Sequence, residues 1–465
     1  MSPARAAVRK PAAKKDASKP ASRLGALPEW NLADLYPAMD APELKRDLAR
    51  ADADSVAFEA DYKGKLAALT AAGKLIEAVK RFEALEDLLG RLISYAGLIY
   101  AGNNTDPMRA KFYGDIQEKI TAASLHLLFF MLELNRLDDA ALEAAMRDSA
   151  LGHYRPWIED VRKEKPYQLE DRVEELFHEK SVTGAGAWNR LFDETMGALR
   201  FKVDGKELAI EQTLSLMQDA SERKRRAASE ALAKTFKENL RTFALITNTL
   251  SKDKEISDRW RGFKDIADSR HLANRVEPEV VDALVSAVRA AYPRLSHRYY
   301  KLKAKWFGKK TLPHWDRNAP LPKVESRVIG WDEAKDTVLT AYGAFSPRMA
   351  DVAERFFSRN WIDAPARPGK QAGAFSHPTV PSAHPYELLN YQGKPRDEMT
   401  LAHELGHGVH QVLAAPTGAL MAPTPLTLAE TASVFGEMLT FRRLLGETTD
   451  PTQRKAMLAA KVEDM

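Results

Sequence analysis

Apolar residues recur three and four apart over most of this chain, the spacing that lines one face of an α-helix. Leu66, Leu69, Leu75, Ile76, Val79, Phe82, Leu85, Leu88 and Leu89 show it within a helical stretch that the pattern predicts over 42–150. The run from His126 to Leu134 is apolar on nearly every side and predicts a buried helix core. Helical spacing continues over 168–265, with a loop expected at Thr183-Gly184-Ala185-Gly186-Ala187, and over 277–306, with a break at Pro293. Strand signals are few. Asp204-Gly205 between Leu199 and Leu208 predicts a tight hairpin, and Tyr386–Tyr391 reads as a short strand. The Pro- and Gly-rich stretches 311–323 and 362–385 read as irregular. The fold class that follows is mainly α.

Two more helices are expected toward the C-terminal end. Met399, Leu401, Ala402, Leu405, Val409, Val412 and Leu413 lie at helical spacing between the expected N-cap Asp397, which follows Pro395, and the stop signals Pro416 and Gly418. Leu426 to Leu439 is apolar on nearly all sides, so it is expected to be buried, with Thr424 as cap and Pro425 in its first turn. A last segment beginning at Asp450-Pro451 still reads as helix at Met465.

Composition narrows the class. A chain of 465 residues can hold two or more domains, and its formal charge of +4 is small for that length. It has no cysteine, which excludes disulfides, thiol catalysis and cysteine-ligated metal, and fits a reducing compartment such as the cytoplasm. Arg5, Arg9, Lys10, Lys14, Lys15, Lys19 and Arg23 stand against a single Asp16 near the start. That segment lacks the apolar core of a secretory signal and reads as a disordered basic tail over 1–27. Weak binding of the tail to nucleic acid or anionic lipid is the sharper alternative; neither nucleic acid nor membrane is expected as a partner. No apolar run approaches membrane-spanning length.

The candidate chemistry lies in the first of the two C-terminal helices. His403-Glu404-Leu405-Gly406-His407 reads H-E-x-x-H. Residues four apart stack on one helix face, so both imidazoles can address one ion, while the glutamate reaches a water held by it. Glu404 is then the general base, and His403 and His407 are two ligands of one Zn2+ per chain. A carboxylate on an apolar helix is costly unless paired or metal-bound, which points to Glu430 as third ligand. Glu437, seven positions on, shares its face and is expected to accept a hydrogen bond from a liganding imidazole; a buried ion pair with an arginine is the plain alternative. Thr431 and Ser433 are further candidates for that supporting role. Leu413 and His410 occupy positions where a metzincin needs histidine and glycine, so that type is excluded. His410 reads as lining the site or solvated, and Asp316 and Arg317 read as salt-bridge residues rather than catalytic ones.

The run Thr400 to Gly408, followed by Leu428-Ala429-Glu430-Thr431-Ala432-Ser433 and Glu437, resembles the oligoendopeptidase F branch of the M3 (thimet oligopeptidase-like) zinc metallopeptidases. Trp30 to Tyr36, Ser269 to Asn274, His297 to Lys303, Trp315 to Pro320, Gly373-Ala374-Phe375 and Pro385 to Tyr391 are similar to segments of the same family, so the resemblance covers 28–465. It implies a helical ellipsoid with a deep substrate channel and a small β-element beside the zinc helix. The division expected is an N-terminal helical domain at 28–200 and a catalytic domain at 201–465.

The function implied is zinc-dependent hydrolysis of short, unfolded oligopeptides, cut internally by metal-activated water. A strand at 386–391 lying at a sheet edge beside the metal would pair with the substrate backbone, making Gly373, Ala374, Tyr386, Leu388 and Asn390 candidate substrate-binding residues. Family members continue past the position equivalent to Met465, so the resemblance implies a C-terminally truncated form. The histidine and tyrosines that steady the tetrahedral intermediate would then lie beyond it. The alternative from another class is a helical binding or scaffold protein whose motif holds a structural metal or none. Oligomeric state is not legible.

Overall fold

The computed structural model describes residues 23–324 and 327–464. Helices dominate, and two small sheets are the only extended structure among the described residues. The periodic segment 42–150 becomes Pro42–Tyr62, Leu75–Gly102 and Pro107–Leu125, with shorter helices between and after them. The apolar stripe read from Leu75 to Leu89 faces inward, where Phe82 stacks on Phe130 with ring centroids 4.6 Å apart and Phe58 closes against both. Two predicted boundaries shift. The run 126–134 is split, because one helix ends at Leu125 and the next starts at Leu128. The expected loop 183–187 shrinks to its first residues, because Gly184 takes the non-helical position before Ala185–Ala198.

β1 (Phe201–Val203) and β2 (Lys206–Leu208) form the predicted hairpin. Asp204 and Gly205 both take positive φ, at 49° and 80°, the conformation that a two-residue turn of this kind requires. The second sheet comprises β3 (Ile362–Pro365), β4 (Phe375–His377) and β5 (Tyr386–Tyr391) in the order β3-β5-β4. β5 pairs parallel to β3 and antiparallel to β4. The reading of Tyr386–Tyr391 as an edge strand is therefore corrected: β5 is paired on both sides, and the edge belongs to β4. Sequence pattern favoured β5 because it is long and apolar, but such strands seek the sheet centre, where both faces are covered.

The main core joins Leu32–Val161 to Ile329–Leu420, so residues on both sides of position 200 share one interior. Two smaller clusters, around Phe201, Val203 and Ile210 and around Tyr299, Leu321 and Ala459, serve the intervening segment and the last helix. Of the basic tail, residues 1–22 lie outside the described residues, while Leu24 and Leu27 pack against the main core.

Candidate metal centre

The motif helix spans Pro395–Ala414 and begins two residues before Asp397. Asp397 caps it from inside: its Oδ2 accepts from the backbone N–H groups of Gln392 and Lys394, at 2.8 and 2.9 Å. The partner helix spans Leu426–Glu447, with Pro425 in the cap position expected for Thr424. This helix is not buried all round. Leu426, Leu428, Val434 and Phe435 are exposed, while Ser433, Gly436, Glu437 and Thr440 face inward. The inversion has a steric cause. An ideal Cβ on Gly406 would lie 2.6 Å from the Ala432 carbonyl oxygen, and one on Gly436 would lie 3.0 Å from the Ala402 carbonyl oxygen. The two helices meet at these small residues, and larger apolar side chains are turned outward.

That close approach brings the candidate ligands together. One ligand atom each from His403, His407 and Glu430 lies within 4.8 Å of the others. Glu430 Oε2 is 3.2 Å from His403 Nε2 and 3.6 Å from His407 Nε2. Glu430 is half exposed rather than buried, so the cost of burial is not what marks it; its convergence on the imidazoles is. Ser433 Oγ donates to Glu430 Oε2 at 2.7 Å, whereas Thr431 is exposed. Glu437 Oε2 is 3.4 Å from His403 Nδ1, and its other oxygen takes an ion pair from Lys461. Glu437 therefore meets His403 on one side and a cation on the other, a lysine where the sequence reading had an arginine. His403 and Lys461 hold its carboxyl down at about 2 against the cost of burial. The same hydrogen bond raises His403 above the ordinary imidazole value, while burial lowers His407.

Glu404 is 7% exposed, and burial pushes its carboxyl up to about 7, helped by Glu430 and opposed by His403. The backbone N–H of Ser376 in β4 also opposes the rise. His410 lines the same cavity, of about 1030 Å³, as His403, His407 and Glu430.

The candidate substrate residues divide. Ala374 lines both this cavity and a second of about 610 Å³, as does Glu404. Gly373 takes φ 83°, donates its N–H to Glu211 and accepts from Asn390 Nδ2 at 2.9 Å. Asn390 also holds the Gln371 carbonyl, so it braces the approach to β4. Tyr386 and Leu388 are fully buried, and the Tyr386 hydroxyl donates to the Asn31 carbonyl. Their side chains present nothing to the cavity.

Two features escaped the sequence reading. Lys370 is buried, and its ammonium donates to Asp363 Oδ1 and to the Pro365 carbonyl, pinning the loop before β4. Glu387 on β5 is fully buried with neither carboxylate oxygen hydrogen-bonded, and burial raises it well above the ordinary value. An ideal Cβ on Gly408 would lie 2.6 Å from Glu387 Oε1, so the glycine leaves the room it occupies. The lone charged position in β5 was the only available signal.

Residues 215–465 match the model of Peptidase family M3, and residues 133–201 match the model of Oligopeptidase F. Oligopeptidase PepF of Bacillus subtilis is 26% identical over 452 residues, covering 93% of this chain and 65% of that protein. Group B oligopeptidase PepB of Streptococcus agalactiae is 27% identical over 374 residues, covering 77% of this chain and 62% of that protein. The chain thus spans less than two thirds of the length of these curated relatives. Among solved structures, oligoendopeptidase F from Enterococcus faecium aligns with TM-score 0.62 at 18% identity, covering 91% of this chain and 69% of that one. PZ peptidase A aligns with TM-score 0.66 at 15% identity, covering 91% and 72%. At such identities the structural likeness speaks for the fold.

Proposed function

This chain belongs to peptidase family M3, in its oligoendopeptidase F branch, and from that premise we propose that it hydrolyses internal bonds of short, unfolded peptides with one zinc ion per chain. The observation that carries the reading is the convergence of His403, His407 and Glu430 beside the buried Glu404. Two imidazole nitrogens and one carboxylate oxygen are the donor types zinc takes in catalytic sites, and three protein ligands leave a position for water or substrate. Zinc bound there would lower the pKa of a water and polarise the peptide carbonyl.

The chain's own residues supply the rest. Glu437 fixes His403 with its Nδ1–H toward the carboxylate, leaving Nε2 for the metal. Glu404 takes the proton of the attacking water and returns it to the leaving amine, and its raised affinity for a proton suits both transfers. Ala374, just before β4 and lining the cavity, offers its N–H and C=O to the substrate backbone, so recognition is broad in sequence. The absence of cysteine favours the cytoplasm, and no single helix among the described residues is long and apolar enough to cross a membrane.

Elemental analysis of gently purified protein tests the reading. Near-stoichiometric zinc is expected in the wild type and none in His403→Ala. Full zinc in that variant would refute the ligand set, and zinc without turnover of any short peptide would refute the activity.

A further inference from the structure

The two cavities meet at Glu404 and Ala374, and β4 sets their order. Gly373, just before the strand, lies in the smaller; Phe375, Ser376 and residues 378–385 lie in the larger. At Ser376 the outer edge of β4 is taken, because its carbonyl accepts from Gln411 Nε2 at 3.1 Å and its hydroxyl donates to Gln411 Oε1 at 2.9 Å. Ala374 is the place where an added strand can pair. In the antiparallel sense, the more stable one per residue, such a strand runs against β4. Its N-terminal half then lies over the larger cavity, and its C-terminal half enters the smaller.

The charged groups of the smaller cavity are mostly engaged. Asp397 holds the backbone N–H groups of Gln392 and Lys394, and Glu211 holds that of Gly373. The Lys394 ammonium donates to the Ser215 carbonyl, and His314 is hydrogen-bonded to Ser229. Arg317 and Arg396 differ: both line the cavity, both are exposed, and neither guanidinium forms a hydrogen bond or ion pair among the described residues. Their backbones are anchored. Arg396 lies in the first turn of the motif helix. Arg317 follows Asp316, which is buried against Arg225 and Lys309, and its carbonyl accepts from Lys303 Nζ at 2.6 Å.

We propose that the smaller cavity holds the C-terminal half of the substrate and that Arg317 and Arg396 recognise its terminal carboxylate. The proposal rests on the peptidase reading above and names what selects short peptides. A guanidinium presents paired donors that match a carboxylate, and only a peptide whose C-terminus falls within this cavity gains the contact. A longer chain carries its carboxylate past the cavity and loses it.

The test compares two internally quenched peptides of one sequence, one ending in a free carboxylate and one in an amide, hydrolysed by the zinc-loaded protein. The acid is expected to have a kcat/KM about tenfold higher, through KM, as befits a charge-assisted hydrogen bond. Arg317→Ala and Arg396→Ala each bring the acid-to-amide ratio toward one, and Arg396→Lys, which keeps the charge without the fork, retains part of it. Equal kcat/KM for the two peptides in the wild type overturns the proposal and leaves the peptidase reading standing. So does a ratio that survives both alanine variants, or one that depends instead on Arg355 and Arg359, the arginines of the larger cavity. If neither peptide is cleaved, the peptidase reading fails. Fluorescence anisotropy of the same peptides labelled at their N-termini then decides: tighter binding of the acid upholds the proposal, and equal binding overturns it.

Discussion

Glu404 and Glu430 are both carboxylates within reach of His403, yet their surroundings assign them different work. Glu404 is buried, and burial raises its proton affinity, as a base that must also act as an acid requires. Glu430 is half exposed and aims one oxygen between the two imidazoles. Glu404→Gln should therefore keep zinc and lower kcat by about 10²- to 10⁴-fold. Glu430→Gln should lose zinc while the base remains. Metal content and turnover measured on the same preparations separate them; matching zinc loss in both would show the roles to be misassigned. Glu437→Gln is a third case. It weakens the acceptor for His403 Nδ1–H and leaves Lys461 unpaired, so zinc affinity should fall by about 10- to 100-fold while saturating zinc restores turnover. No change in zinc affinity would make Glu437 a structural ion pair only.

At the scale of elements, the site exists because two helices touch at glycines. Ala432 places its carbonyl where a Cβ on Gly406 would go, and Ala402 places its carbonyl close against where one on Gly436 would go. Gly406→Ala should force the helices apart, cost about 1–3 kcal/mol of stability and weaken zinc binding with it. A melting temperature and zinc affinity equal to wild type would show that the approach is not tight. Glu387 supplies a prediction with a pH sign. Its folded pKa lies well above the ordinary 4.5, so the folded state keeps a proton that the unfolded chain releases. Stability is then fullest below that ordinary value and declines as pH rises above it. Glu404 is the charged group that raises it further, and Tyr342 is the other titratable side chain coupled to it. Glu387→Leu should stabilise the protein by about 1–3 kcal/mol near neutrality and by less at pH 4. Thermal melts at the two pH values check this, and an equal or reversed difference would count against a neutral buried carboxyl.

These elements also show what was legible in the sequence. The spacing of His403 and His407 and the apolar positions from Met399 to Leu413 suffice to give the motif helix. The face of the partner helix was not legible, because Leu426, Leu428, Val434 and Phe435 suggest burial while Gly436, Ser433 and Thr440 hold the contact. Hydropathy records transfer preference and not the distance between two backbones. The place of β5 was likewise missed, since pairing partners are set by the fold and not by the strand's own pattern.

Across the whole molecule, the candidate metal centre is wired to regions far from it in sequence. Glu437 links His403 to Lys461 on the last helix, Pro451–Asp464. From that helix Glu463 accepts from both Lys303, which is fully buried, and the Tyr299 hydroxyl. Tyr299 and Ala459 belong to the same small core cluster, and Lys303 also anchors the Arg317 carbonyl. A metal that binds only the folded state stabilises it by mass action, and its effect should spread along these contacts. Zinc should therefore raise the melting temperature of the wild type by a few degrees and a chelator should lower it, with neither effect in His403→Ala. Zinc should also slow amide exchange in the last helix and in Ser296–Trp306, not only in the two helices that carry the ligands. Lys461→Met cuts the link at its centre, so it should confine the zinc-dependent protection to the ligand helices while leaving them responsive. Protection that still reached residues 296–306 in that variant would show that the last helix senses the metal by some route other than Glu437.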